Sequence, residues 1–86
     1  MYRVEVKPSV WKDLRRLPAG MVARIRRWID SLASNPFPNQ CVKLSNAERL
    51  WRIRVGDYRI VYEVDTAARL VIVYYVRHRR EVYRGI

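Results

Sequence analysis

Residues 50–63 read LWRIRVGDYRIVYE, and their alternation decides the fold. Side chains on a strand point to opposite faces with period two. Trp51, Ile53 and Val55 therefore share one face, and Leu50, Arg52 and Arg54 the other. Beyond the Gly56-Asp57 pair the apolar set is Tyr58, Ile60, Tyr62 and Val64, opposed by Arg59, Val61 and Glu63. A two-residue connection with Gly first predicts a tight hairpin, because glycine takes a positive φ there without steric cost. The stretch thus predicts two half-buried antiparallel strands with Arg52, Arg54 and Arg59 on one face.

The flanking sequence supplies the rest of the sheet and its cover. YRVEV at residues 2–6 alternates as a short strand. Pro8 suits a first helical position, and Val10, Leu14 and Leu17 follow at helical spacing until Pro18 ends the segment. A second helix is expected over residues 19–34, with Val22, Ile25, Ile29 and Leu32 as its apolar stripe and Arg24, Arg26 and Arg27 largely off it. SNPFPNQ, residues 34–40, stops it with two prolines. LVIVYYV, residues 70–76, is apolar throughout and predicts the central strand. The expected class is α+β, in the order β-α-α-β-β-β. A small antiparallel sheet would carry a helical hairpin on one face, as a single domain over residues 1–86.

Composition narrows the partners. The 86 residues carry a formal net charge of +10, with 18 basic against 8 acidic residues. Residues 1–42 and 43–86 each contribute +5, so the charge belongs to the folded body and not to a tail. Nucleic acid or an acidic protein is the expected partner. Fifteen of the basic residues are Arg, whose planar fork suits phosphate, although a bias in genome base composition produces the same excess. Cys41 is the lone cysteine, which excludes an internal disulfide and a cysteine metal cluster. The carboxylates are scattered without metal-ligand spacing, so no metal or other cofactor is expected. No stretch approaches the ~20 apolar residues of a membrane span, and the first residues lack the apolar run of a secretory signal. These features point to a cytoplasmic protein without membrane partners.

If the helices cover the Trp51, Ile53, Ile60 and Tyr62 side, the open face presents Arg52, Arg54, Arg59 and Arg79. Strict alternation through the last strand puts Arg77 and Arg79 in phase with Val71, Val73 and Tyr75, with Arg77 at the margin of that face. Like charges opposite one another on a sheet repel, and a bridging anion removes the cost. Successive phosphates of a nucleic-acid strand would do so through charge-assisted bonds. The alternative is a solvated basic face with Glu63, Glu81 and Asp57 as local partners.

LWRIRVGDYRIVYEV followed by VYYVRHRREVYR is similar to the RelE/ParE superfamily of toxins. The resemblance covers nearly the whole chain and rests on the order and spacing of its pieces. Carried over, the family's two basic strand residues fall on Arg52 and Arg54, its turn arginine on Arg59, the arginine after the last strand on Arg79, and the C-terminal aromatic on Tyr83. The resemblance implies a type II toxin that cleaves messenger RNA on the ribosome, with Arg59, Arg79 and Tyr83 catalytic and Arg52, Arg54, Arg77 and Arg80 gripping RNA. It also implies a cognate antitoxin that forms a hetero-oligomer and blocks this surface. A ParE-type toxin acting on DNA gyrase and a non-catalytic basic RNA- or ribosome-binding module are the competing readings.

Two departures bear on the chemistry. Many relatives have Gly where this chain has Arg77, which adds charge. The best-known RelE pattern has lysines at the positions of Arg52 and Arg54, and arginine, unlike lysine, does not give up its proton. Arg52 and Arg54 therefore stabilise charge and do not act as bases. Tyr83 is the candidate base or positioning donor, since surrounding guanidiniums favour its phenolate. His78 is predicted to point toward the helical side, and Glu81 to serve as a salt-bridge partner.

Overall fold

In the computed structural model, which describes residues 1–44 and 48–78, the chain order is β1 (Arg3–Val6), α1 (Pro8–Leu14), α2 (Ala19–Ser31), β2 (Cys41–Lys43), β3 (Leu50–Val55), β4 (Tyr58–Asp65) and β5 (Leu70–His78). The five strands form one sheet in the spatial order β1-β5-β4-β3-β2. The hairpin forms as its sequence dictates. β3 and β4 pair antiparallel from Leu50↔Glu63 to Val55↔Tyr58. Gly56 at their turn has φ 59°, and a Cβ there would lie 3.2 Å from the Met21 methyl group.

The sheet departs from the expected antiparallel one in three ways. β1 pairs with β5 in parallel, from Arg3↔Leu70 to Val6↔Val73. The connection from β1 to the rest passes through the helical hairpin, a crossover that a parallel neighbour requires. An additional short strand, β2, pairs antiparallel with β3 at the far edge. Three residues after a proline-rich loop give too little alternation to mark it. Finally, the central strand is β4, while β5 lies between β1 and β4. β5 is nonetheless interior, which accounts for its apolar composition.

Both helices end earlier than their apolar spacing suggested. α1 closes at Leu14 and tightens into a turn whose Leu17 N–H donates to the Leu14 carbonyl at 3.1 Å. α2 closes at Ser31, and the Leu32, Ala33 and Ser34 amides then bond three residues back. That shorter-range pattern winds the last turn down before Pro36. Leu32 stays fully buried although it lies outside α2.

The core lies between the helices and one sheet face. Val10 and Leu14 of α1 and Ile25 and Ile29 of α2 pack with Ile53, Val55, Ile60, Tyr62, Val64, Val71, Val73 and Val76. Full burial of each aliphatic side chain contributes about 1.5–3 kcal/mol. The Tyr62 hydroxyl lies inside this layer and donates to the Pro36 carbonyl at 2.8 Å. Burial pushes its phenol well above the ordinary range, and Cys41 beside it adds to the shift.

α1 also completes the edge of β5. β1 covers β5 only as far as Val73, where the Lys7 N–H donates to the Val73 carbonyl at 2.9 Å. Beyond that point side chains replace the strand. Ser9 Oγ donates to the Tyr74 carbonyl at 2.7 Å, and Asp13 Oδ2 accepts from the Val76 N–H at 3.1 Å. The far end of β5 is thereby fixed to a helix.

Candidate nucleic-acid interface

A β-bulge decides what the open face displays. The β4–β5 register runs Ile60↔Val76 and Val61↔Tyr75 but then Tyr62↔Val73, so Tyr74 is the extra residue. An extra residue shifts the phase of the strand by one. Val71 and Val73 therefore face the core, and so does Val76, while Tyr75 and Arg77 turn to the open side. This corrects the strict alternation expected from sequence, which set Arg77 in phase with Val71 and Val73 and left it at the margin. Nothing in LVIVYYV marks the break, since every residue in it suits either face.

With that shift, three basic residues line up across neighbouring strands. Arg54 pairs with Arg59 in the β3–β4 ladder, and Arg59 with Arg77 in the β4–β5 ladder. Neighbouring strands lie about 4.8 Å apart, so the row packs three guanidinium stems side by side. The next row along the strands is Arg52, Val61 and Tyr75, and the row after that is Leu50, Glu63 and Ile72.

The environments within the row differ. Arg59 is only 5% exposed, a charged residue held among buried groups. Arg54 is exposed and its Nε donates to the Gly56 carbonyl at 3.2 Å, which folds it over the hairpin turn. The exposed Arg77 sets its guanidinium carbon 4.7 Å from the centre of the Tyr75 ring, a cation–π contact. Arg52 is half-buried in the next row. The ion pairs among the described residues are Arg3–Glu5 and Arg49–Asp65, both away from this face. Glu63, a local partner of the arginines only in the alternative of a solvated basic face, accepts from the Tyr74 hydroxyl at 2.6 Å. That bond is the main cause of the upward shift of the Tyr74 phenol.

His78 takes the helical side, as alternation past the bulge requires. Its ring meets Tyr58 edge-on at 5.4 Å, near Asp13, Arg16 and Leu17. The remaining predicted site residues Arg79, Arg80 and Tyr83 lie outside the described residues, as does Glu81. Among the described residues no three His, Cys, Asp or Glu side chains converge as metal ligands. Nor is any helix there long and apolar enough to cross a membrane.

A row of arginines on a five-stranded sheet, backed by a helical hairpin, defines a small α+β protein with one strongly basic sheet face. The comparisons with known proteins place it more closely. Residues 4–83 match the family model described as the ParE toxin of the type II toxin–antitoxin system parDE. The toxin RelE of Mycobacterium tuberculosis is 30% identical over 84 residues, spanning 96% of this chain and 87% of that protein. The archaeal RelE–RelB complex of Pyrococcus horikoshii superposes with a TM-score of 0.81 at 30% identity, covering 91% of this chain and 94% of that one. The RelB–RelE complex of Methanococcus jannaschii gives 0.80 at 27%, covering 95% and 98%. This chain belongs to the RelE/ParE toxin superfamily of type II toxin–antitoxin systems.

Proposed function

We propose that this toxin is a metal-independent endoribonuclease that cuts messenger RNA on the ribosome and so inhibits translation. The observation that carries the reading is the cross-strand row Arg54–Arg59–Arg77. Its repulsion is relieved by bridging phosphates, and each phosphate gains charge-assisted bonds. Arg52 extends the grip into the next row. Cleavage by attack of a 2′-hydroxyl passes through a dianionic phosphorane, and a buried, fixed cation aimed at that charge stabilises it by a few kcal/mol. Arg59 takes this role because its burial holds it in one place and lowers the local dielectric. Arg79 and Tyr83 are assigned by resemblance: Arg79 beside the phosphorane, Tyr83 as proton carrier or stacking platform. Arg77 and Arg80 complete the RNA contacts. The ribosome supplies the alignment that this short set of proton carriers lacks.

Primer extension on messenger RNA, with and without ribosomes, tests this directly. Cuts are expected only with ribosomes, reduced about 100-fold in Arg59→Gln, which removes one stabilising donor. Arg79→Ala and Tyr83→Phe should also weaken them. Full cutting in all three variants would refute the site.

A cognate acidic antitoxin follows from two supports: solved relatives are complexes of RelE with RelB, and this body carries +10. Association should be strong and weaken with salt. A second reading, poisoning of DNA gyrase, is favoured by the match to the ParE model and by arginine in place of lysine at positions 52 and 54. Inhibited supercoiling with messenger RNA left intact would select it.

A further inference from the structure

The arginine row accounts for one end of the open face, but not for what lies two rows away. There the bulge brings Tyr74 and Tyr75 to the same side as Glu63. Together with Leu50 and Val61 they line a cleft of about 380 Å³. That volume falls within the ~300–1,000 Å³ typical of small-ligand clefts. Its floor is apolar, its walls are aromatic, and it contains a single carboxylate.

The placement of that carboxylate is unusual for so basic a surface. Glu63 makes no ion pair among the described residues and accepts a hydrogen bond from the Tyr74 hydroxyl at 2.6 Å. An ionised carboxylate has about four acceptor sites, and the phenol occupies one. The rest are available to donors entering the cleft. Meanwhile the Tyr75 ring sits between Arg77, stacked at 4.7 Å, and the cleft itself. Rows along a strand repeat every ~6.6 Å, so Glu63 lies one row from Arg52 and two from Arg59. Phosphate-binding groups and the cleft are thus spaced on the scale of one nucleotide.

We propose that this cleft is a base-recognition subsite, and that Glu63 selects guanine in single-stranded RNA. Guanine alone presents two adjacent donors, N1–H and N2–H, to a carboxylate's two oxygens. Adenine and cytosine offer one amino group flanked by an acceptor. Uracil sets its N3–H between two carbonyls, which a carboxylate repels. The tyrosine walls provide stacking that any base would use, so the discrimination falls to Glu63. Tyr74 is a positioning residue that holds the carboxylate toward the cleft.

The assignment rests on the RNA-binding reading above, and equilibrium binding separates the two. The probes are fluorescent hexauridylate and the same strand with one central guanosine, measured by anisotropy on the full chain. The guanosine strand should bind about tenfold more tightly. Glu63→Gln, which keeps an oxygen for Tyr74, should lose that preference while holding the uridine strand as before, with an unchanged melting temperature. Equal affinity for both strands, or a preference that survives Glu63→Gln, would overturn the assignment and leave the RNA reading standing. Binding of neither strand would remove both. Weakened antitoxin binding in Glu63→Gln with the RNA preference intact would make the cleft a protein-docking groove instead.

Discussion

Removing the Asp13 carboxylate tests how α1 holds the end of β5. β1 stops at Val73, so the Val76 N–H has no strand to donate to and takes Asp13 Oδ2 at 3.1 Å. Val76 itself is only 2% exposed, so water has little access to replace the bond. A hydrogen bond to a charged group contributes about 1.5–3 kcal/mol, and losing it leaves a buried donor unsatisfied. Asp13→Ala should therefore cost about 2 kcal/mol. For a chain of this size that corresponds to a melting temperature lowered by roughly 8–16 °C. Asp13→Asn keeps an uncharged acceptor and should lose about half as much. Thermal melting gives the magnitude, and amide exchange gives the location, because protection should fall at Val76 before it falls in β4. A loss below 0.5 kcal/mol in Asp13→Ala, or unchanged exchange at Val76, would refute the claim that α1 substitutes for a missing strand.

Other perturbations separate the remaining claims. Tyr62→Phe should change the alkaline stability limit: the folded phenol stays protonated far above its unfolded value, so stability is present below pH ~10 and lost above it. The variant should lose about 1 kcal/mol near neutrality from its bond to Pro36, yet show a flatter decline in urea melts above pH 10. Gly56→Ala forces a Cβ into a positive φ and against Met21, and should cost about 1–2 kcal/mol by chemical denaturation. Arg52→Gln should weaken RNA binding about equally for every sequence and lower the slope of log affinity against log salt by about one. An unchanged salt slope would place Arg52 outside the phosphate path.

Much of the architecture was legible because local chemistry and global fold agree. The Gly56-Asp57 turn and the apolar sets of β3 and β4 were readable from period two alone. Three things were not. The parallel pairing of β1 depends on a crossover through the 34 residues of helical hairpin and loop between Val6 and Cys41, which alternation cannot see. β2 is too short to show a period. The bulge at Tyr74 lies in a strand whose residues are all apolar or aromatic, so a phase error leaves no polar residue on the wrong side until Arg77. That charge at the strand end is the one clue: a buried guanidinium next to Val76 would be costly, and a one-residue slip avoids it. For the site, the resemblance named Arg52, Arg54 and Arg59, while the alignment of Arg77 with them required the ladder. The Tyr74–Glu63 bond is not legible either, because it depends on the bulge that turns Tyr74 to the side of Glu63.

The bulge also limits how this toxin can vary. β5 is pinned at its start by the parallel ladder to β1 and at its end by Ser9 and Asp13. Gain or loss of a single codon between Leu70 and His78 has no loop in which to hide and falls on the bulge. Deleting Tyr74 would restore strict alternation with the ladders on either side still in register, keeping Arg77 on the open face beside Arg59, whereas one further residue past the bulge would swing Arg77 beneath the helices. The strand thus tolerates a shorter length better than a longer one. In-frame gain of one residue past Tyr74 should therefore disarm the protein, and cells carrying such variants would stand out among the survivors of an insertion scan across the gene.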